Sequence, residues 1–309
     1  MNIYLAALYS SNFQKKGPLF LRLNDREKAA RESVKYNLES YHYVFRNAPT
    51  QKIRNDGTKV FLDSGAFSAF TQGVDIDLPG YVDYIKRNMD IIRVEDGVVC
   101  ASVLDGIGDP LKTYQNQLAM ESLGVRPLPC FHYGEDERYL KWYMENYEYI
   151  TLGGMVPITK PQLYHWLDRL WEEYLTDGSG VPKLKVHGFG LTTVDLVTRY
   201  PWHSVDSSSW VQSANTGSIL IPGYGALAIS SNSPTRKQAG RHYDSLTPEL
   251  QAGVRKILET DQGYDVERLR VLYYSRWAYN CWSFGQMNEH QDTLAHTFFD
   301  EQISLFPDE

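Results

Sequence analysis

The residues of this chain best suited to catalysis are three aspartates and two histidines, each directly following a short apolar run. Together with a glycine pair they lie in the segments Asp63-Ser64-Gly65, Asp105-Gly106, His132-Tyr133-Gly134, Gly153-Gly154, His187-Gly188-Phe189-Gly190 and Asp206-Ser207-Ser208-Ser209. Taken alone, each has an ordinary explanation, since Asp-Ser-Gly is a common turn and paired glycines relieve crowding. Carboxylates and imidazoles repeated at the ends of apolar runs suit catalysis better than packing. We therefore predict that they share one site.

The apolar runs that precede these residues are typical of parallel strands alternating with helices. They cover residues 3–8, 60–62, 98–104, 126–131, 149–152, 184–186 and 203–205. An eighth run, 37–44, is either a strand or the end of a helix that starts near Asp25. The 309 residues match the roughly 250 of a (β/α)8 TIM barrel with additions. Because strand ends converge on one face of such a barrel, the candidate side chains would share a pocket.

Three of the intervening helices are marked by their first residues and by their apolar spacing. Asp109-Pro110 predicts the start of one helix, with Leu111 and Leu118 on its apolar face. Pro79 opens a second helix. Residues 161–175 place their leucines and tryptophans on one stripe, which predicts a third amphipathic helix.

Beyond Trp210 the βα alternation ends. Residues 218–222 and 226–230 flank Gly223-Tyr224-Gly225, which predicts a β-hairpin, and the chain from 247 to 299 has helical character. We therefore expect three parts. They are a catalytic (β/α)8 barrel at 1–210, a hairpin with a basic loop at 211–246, and a C-terminal helical extension packed on the barrel at 247–309.

Composition excludes several classes of protein. A content of 42% hydrophobic and 22% charged residues is typical of a folded chain with a substantial core. No run approaches the roughly 20 apolar residues of a membrane span, and the N-terminus lacks the basic segment of a signal peptide, so we expect a cytoplasmic protein without membrane partners. A net charge of −7 argues against general attraction to nucleic acid, although a local basic face remains compatible with it. Cys100, Cys130 and Cys281 are too scattered for a disulfide framework and are expected to be reduced packing residues.

An ordered set of short motifs runs through the predicted barrel. It comprises Asp63-Ser64-Gly65-Ala66-Phe67, Asp105, Leu152-Gly153-Gly154, Gly188-Phe189-Gly190 and Asp206. In order and spacing, residues 35–210 resemble the queuine and archaeosine tRNA-guanine transglycosylases, and residues 37–42 are similar to the second strand of that superfamily. The tRNA enzymes carry a zinc module after the last barrel strand, whereas only Cys281 follows Asp206 here. The chain therefore most resembles the zinc-free phage and bacterial DpdA group, which inserts 7-deazaguanines into DNA.

The resemblance implies a DNA-guanine transglycosylase that exchanges guanine for a 7-deazaguanine such as preQ0, in the host cytoplasm if the chain is phage-encoded. Asp206 would form a covalent glycosyl intermediate, and Asp63 would transfer the proton. The chemistry agrees, because retention at an N-glycosidic bond needs one carboxylate that attacks the anomeric carbon and a second acid or base.

The base-binding residues that the resemblance implies are Ser64, Phe67, Asp105, His132, Gly153, Gly154 and His187. Asp105 would accept from the adjacent N–H donors of a guanine-like edge, while the Gly154 N–H and His132 would donate to O6. Phe67 and His187 would stack on the two faces of the base. His132 and His187 stand where the superfamily usually has Gln and Met, so recognition is expected to differ. Either histidine is alternatively a satisfied pocket residue without substrate contact.

No metal and no cofactor are expected. The histidines and cysteines show no paired ligand spacing, and the glycines do not form a phosphate-binding loop. Residues 236–242 form a basic segment whose Arg236, Lys237 and Arg241 are predicted to bind DNA near the active face, with a solvated surface loop as the alternative. The expected partners are thus DNA and a free 7-deazaguanine base.

Three competing functions remain open. A zinc-free tRNA-guanine transglycosylase would use the same residues on tRNA. A non-catalytic nucleic-acid-binding partner subunit has no need for both Asp63 and Asp206, which argues against it. A sugar hydrolase also uses paired carboxylates, but it would not explain Asp105 together with Gly153-Gly154.

Overall fold

The chain divides into two compact units, each built from two stretches of sequence. The computed structural model describes residues 1–156, 158–191, 193–236, 238 and 240–289. The first unit contains Met1–Gln14 and Lys35–Ser207, and the second contains Lys15–Val34 together with the chain from Ser208 onward. All the predicted catalytic and base-binding residues belong to the first unit.

The first unit is organised around one curled parallel sheet. The strands of the described residues are β1 (Asn2–Ala6), β2 (Asn37–Ser40), β3 (Val60–Asp63), β4 (Val94–Glu95), β5 (Val98–Val99), β6 (Cys130–His132), β7 (Tyr149–Gly153), β8 (Lys185–Gly188), β9 (Ser204–Ser207), β10 (Ser218–Ile221) and β11 (Gly225–Ala228). Seven of them pair in parallel in the order β3-β2-β1-β9-β8-β7-β6. The predicted strand at 37–44 is therefore a strand only in its first half, since residues Tyr41–Val44 are helical.

The sheet is barrel-like, but it is not the closed eight-stranded barrel predicted from the sequence. Residues 100–103 lie between β3 and β6 and pair with them only through isolated bridges, Leu62 with Ala101 and Ser102 with Leu128. The predicted strand 98–104 is divided, because Val98–Val99 pairs with β4 in an antiparallel hairpin. Too few residues of that run remain to form a continuous ladder.

The helices largely confirm the predicted βα alternation. Within the described residues they are α1 (Asp25–Glu32), α2 (Tyr41–Val44), α3 (Asn47–Asn55), α4 (Ala66–Thr71), α5 (Leu78–Arg87), α6 (Pro110–Ser122), α7 (Glu137–Asn146), α8 (Lys160–Leu170), α9 (Val194–Arg199), α10 (Ser209–Asn215), α11 (Pro248–Arg255), α12 (Val266–Val271) and α13 (Tyr273–Glu289). π-Helical turns at Trp171–Leu175 and Lys256–Asp261 extend α8 and α11, and 3-10 turns occupy Phe20–Arg22 and Tyr243–Ser245. No helix in this part of the chain has both the length and the apolar character needed to cross a membrane.

The start of α6 was predicted correctly, but its buried face was not. The Asp109 carboxylate accepts from the Lys112 N–H at the first turn, as the Asp-Pro signal indicated. Leu111 and Leu118 are nevertheless exposed. The buried face carries polar side chains instead, among them Asn116, whose Nδ2 donates to the Leu104 carbonyl over 2.7 Å. This helix therefore holds the backbone directly before Asp105 by a hydrogen bond, and its Met120 lies in the same apolar cluster as Leu104.

In the second unit, β10 and β11 form the predicted hairpin. Asn280 on α13 is fully buried, and its Oδ1 accepts from the Leu220 N–H of β10 over 3.0 Å. Its Nδ2 donates to the Trp210 carbonyl of α10 over 2.9 Å. Helices α11 to α13 confirm the predicted helical character up to residue 289, and the remainder of that prediction lies outside the described residues. One amide side chain thus joins three elements of this unit.

Replacing Asn280 by Ala should destabilise the second unit by about 2–3 kcal/mol, because the Leu220 N–H loses its acceptor in a buried place. Urea unfolding of the wild type and of Asn280→Ala measures this change. The exposed Lys256→Ala is the matched control and should change stability by less than about 0.5 kcal/mol. Equal effects of the two substitutions would contradict the assigned role.

Candidate active site

Asp63 is the last residue of β3 and is poised to hold a proton. Its Oδ2 accepts from the Gly65 N–H over 3.0 Å, and its Oδ1 lies 3.5 Å from the donating Ser102 hydroxyl. Burial, followed by the nearby carboxylates of Asp105 and Asp206, raises the pKa of Asp63 to about 7. A carboxyl group with such a pKa can both give and take a proton near neutral pH.

The turn after Asp63 requires glycine. Gly65 has a φ of +77°, and a Cβ at this position would lie 2.2 Å from the Ser40 Oγ. Ser64 is fully buried, and its N–H donates to the Ser102 Oγ over 2.8 Å. The Ser64 side chain is therefore not accessible for its predicted contact with the base. Phe67, by contrast, is exposed and available for stacking.

Asp206 lies on β9 with one carboxylate oxygen held in place. Its Oδ1 accepts from the Gly190 N–H over 2.9 Å and lies 3.4 Å from the His187 Nε2. Among the described residues no hydrogen-bond donor reaches Oδ2. The arrangement leaves one oxygen of a positioned carboxylate available to attack an electrophile.

His187 does not occupy the stacking position predicted for it. The ring is completely buried and stacks on Phe61, with the ring centroids 4.5 Å apart. Burial lowers its pKa, so the ring is neutral at pH 7. Because Nε2 faces the Asp206 carboxylate, the proton of the neutral ring is assigned to Nε2, and Nδ1 then accepts from the Ser204 hydroxyl 2.7 Å away. His187 therefore positions the carboxylate of Asp206.

Asp105 and His132 lie together at the same edge of the sheet. His132 ends β6, and its Nε2 is 3.4 Å from the Asp105 Oδ1. That oxygen is buried and has no hydrogen bond among the described residues. The second carboxylate near the ring is Glu135, whose Oε1 is 2.9 Å from the His132 Nδ1.

The pKa of His132 is raised, in contrast to that of His187. Burial lowers it, but Cys130 and Asp105 raise it by more, and the net direction is upward. The carboxylates of Asp105 and Glu135 face Nε2 and Nδ1, an arrangement that favours a proton on both ring nitrogens. This is the protonation state that the predicted donation to a base carbonyl needs.

The predicted pair Gly153-Gly154 lies against His132. A Cβ on Gly153 would be 3.0 Å from both the Cys130 Sγ and the His132 Cδ2, and one on Gly154 would be 3.1 Å from the His132 Cβ. Gly154 is exposed and has a φ of +69°. Close approach to His132 is therefore reason enough for both glycines, independently of any substrate.

Cys130 belongs to this site, although its place in an apolar run predicts a packing residue. Its buried Sγ is 3.4 Å from the His132 Nε2, and burial raises its pKa to about 11. Asp105, Cys130 and His132 offer ligand atoms that all lie within 4.8 Å of one another, a group of side chains that could hold a metal ion. The expectation that no metal is bound stays a prediction. In the sequence, the spacing Cys130-x-His132-x-x-Glu135 is the feature that indicates this cluster.

The predicted basic segment lies in the second unit. Arg236 is exposed and pairs with Asp244, with 2.7 Å between Nε and Oδ2. Arg241 is exposed and forms no ion pair among the described residues, and Lys237 lies outside them. Arg241 is the arginine of this segment whose charge is not neutralised within the described chain.

Comparison with known proteins adds no relative. No protein-family model matches the chain, and no curated protein matches it. The functional assignment therefore rests on the residues and their geometry.

Asp63→Asn should stabilise the protein increasingly as pH rises. The raised pKa, about 7 against an ordinary 3.8, means that the folded chain keeps this proton where the unfolded chain has lost it. Ionisation of Asp63 therefore costs stability between those pH values, and the full cost is present above the folded pKa. We expect Asn to remove up to about 4 kcal/mol of this cost at about pH 8 and much less at about pH 4.

Urea unfolding of both chains across this pH range measures the difference. The exposed Asp75→Asn is the matched control and should show no such trend. A stability difference for Asp63→Asn that does not vary with pH would show that the group has an ordinary pKa.

Proposed function

We propose that this protein is a transglycosylase that replaces guanine in a nucleic acid with a 7-deazaguanine such as preQ0. The observation that carries the proposal is the convergence of Asp63, Asp105 and Asp206 from three places on one sheet, with the pKa of Asp63 raised to about 7. A pair of carboxylates, one protonated and one ionised, is what acid-assisted displacement at a glycosidic carbon needs.

The reaction proceeds as two displacements. Asp206 attacks C1′ through its unbonded Oδ2, the C1′–N9 bond breaks, and Asp63 gives its proton to the departing guanine. The incoming base then attacks C1′, Asp63 takes the proton from that base, and the Asp206–C1′ bond breaks. Two inversions give retention, and both carboxyl groups return to their initial states. His187 and the Gly190 N–H hold Asp206 in line throughout.

The base is held at the Asp105 side of the site. The Asp105 carboxylate accepts from the N–H donors of the guanine-like edge, while protonated His132 and the Gly154 N–H donate to O6. Phe67 stacks on the exposed face of the base. His187 does not serve as a second stacking partner in this proposal, because its ring is packed on Phe61.

The fold that supports this chemistry is a variant of the (β/α)8 barrel. Residues 100–103 occupy the eighth position through bridges to Leu62 and Leu128. Hydrogen bonds from the Ser102 N–H to the Leu62 carbonyl and from the Val103 N–H to the Leu128 carbonyl, each 2.9 Å long, support this assignment.

DNA is the polymer we favour, with tRNA as the alternative outcome. The chain lacks the cysteine cluster of the tRNA enzymes. Because the net charge is −7, phosphate contacts must be concentrated locally, and the uncompensated Arg241 is suited to one. Extraction of a nucleotide costs a few kcal/mol in a duplex and less in a single strand, so single-stranded DNA should be the better substrate.

Asp206→Asn should abolish exchange of labelled preQ0 or guanine into nucleic acid while leaving the fold intact, because an amide cannot form the glycosyl ester. Mass spectrometry of the wild type after mixing with the polymer alone should trap one glycosyl adduct on Asp206. Asp195→Asn, an exposed carboxylate of the same unit paired with Lys160, is the control and should retain activity. Full activity of Asp206→Asn without an adduct in the wild type would reject the mechanism.

Label from preQ0 should enter single-stranded DNA faster than duplex DNA, and it should not enter tRNA. Replacing Arg236 and Arg241 by Gln should weaken DNA binding and lower its salt dependence by up to about one unit of log–log slope per lost phosphate contact. Lys256→Gln is the control in the same unit. Label in tRNA alone would assign the chain to the tRNA reaction, and an unchanged salt slope would exclude this loop from DNA binding.

A further inference from the structure

Three side chains with the donor atoms that zinc prefers converge at the carboxyl end of β6. They are the Asp105 carboxylate, the Cys130 sulfur and the His132 imidazole, and their ligand atoms all lie within 4.8 Å of one another. We propose that they bind one zinc ion and leave its fourth coordination position open. Three protein ligands with one open position are typical of zinc sites that act on a substrate, whereas structural zinc sites are closed by four.

Two of the three separations between the ligand atoms, those from the His132 Nε2, match a tetrahedral zinc ion. Zinc bonds of about 2.0–2.3 Å to oxygen, nitrogen and sulfur separate neighbouring ligand atoms by roughly 3.3–3.6 Å. The His132 Nε2 is 3.4 Å from the Cys130 Sγ and 3.4 Å from the Asp105 Oδ1. Oδ1 is moreover a buried oxygen without a hydrogen bond among the described residues, which is costly unless a cation binds it.

Glu135 completes the arrangement from behind the ring. Its Oε1 lies 2.9 Å from the His132 Nδ1, and its Oε2 accepts from the His132 N–H over 2.9 Å. A carboxylate on the far nitrogen of a histidine fixes the ring and leaves the near nitrogen to the metal, as in carboxylate–histidine–zinc triads. The absence of a side chain at Gly153 leaves room for these ligands, because a Cβ there would crowd both Cys130 and His132.

Charge and proton balance favour a divalent ion. The thiolate of Cys130 and the carboxylate of Asp105 together carry two negative charges, which one Zn²⁺ neutralises. Binding releases the Cys130 thiol proton and the His132 Nε2 proton to the solvent. The ligand set of nitrogen, sulfur and oxygen favours zinc over magnesium or calcium, which prefer oxygen alone.

The test of this site does not depend on the transglycosylase proposal, but bound zinc would take the place of the His132 Nε2 proton that donates to O6 in that proposal. Zinc would use Oδ1 of Asp105, which leaves Oδ2 for the N–H donors of a base. The open coordination position would be able to accept a water molecule or a substrate oxygen. The zinc module of the tRNA enzymes follows the last barrel strand, whereas these ligands all precede β7.

The test uses the full-length chain without nucleic acid, so its outcome does not depend on base exchange. After removal of metals with a chelator, the protein is titrated with Co²⁺ and, separately, with Zn²⁺. We expect one ion per chain and, for Co²⁺, a near-ultraviolet charge-transfer band that reports a thiolate ligand. The absence of binding, or binding without the thiolate band, would overturn the proposal.

Variants assign the ligands. Cys130→Ser should lose the thiolate band, whereas Cys100→Ser, which replaces another buried free cysteine, should keep it. Glu135→Gln keeps all three ligands and should weaken zinc binding by about 10–100-fold. A thiolate band that survives Cys130→Ser would place the metal elsewhere and refute the site, and unchanged zinc affinity in Glu135→Gln would refute the role of Glu135.

Discussion

The site depends on one electrostatic constraint, which is the burial of several carboxylates at the same edge of a parallel sheet. Ionised groups that share a buried place repel one another and lack hydration, so at least one must bind a proton or a cation. Asp63 does so by a pKa raised to about 7. Asp206 has its Oδ1 held by the Gly190 N–H and by His187. Asp105 lies beside His132. Each aspartate thus meets this constraint in a different way, and the proposed function assigns each of them a different chemical role.

The two histidines show how surroundings separate identical side chains. His187 packs on Phe61 and receives the Ser204 hydroxyl at Nδ1, and burial lowers its pKa. His132 is half-buried, and Cys130 and Asp105 raise its pKa above the ordinary range. A neutral ring can orient a nucleophile without neutralising it, whereas a charged ring can donate to a base. The difference in protonation between the two histidines therefore follows from the atoms that face each ring.

A proton on His132 and the proposed zinc ion would each compensate the negative charge around this ring. In the cluster of Asp105, Cys130 and His132, the two separations from the His132 Nε2 are those of a tetrahedral site, and Glu135 orients the ring for either occupant. With a proton, the cluster would donate to a base carbonyl in the proposed reaction. With zinc, it would present an open coordination position instead. Metal content would thus determine how the base is polarised, while Asp63 and Asp206 would keep their roles.

The amino-acid sequence by itself determined the βα alternation, the hairpin at Gly223-Tyr224-Gly225 and the helix start at Asp109-Pro110, because these depend on local periodicity and capping. It also placed the aspartates at strand ends. Only the tertiary structure decided that Leu111 is exposed, that the His187 ring packs on Phe61, and that Cys130 faces Asp105. It also decided that residues 98–104 are divided between a hairpin and the sheet. These features depend on strand register and on partners distant in the sequence, and a period of two or 3.6 residues carries no information about them.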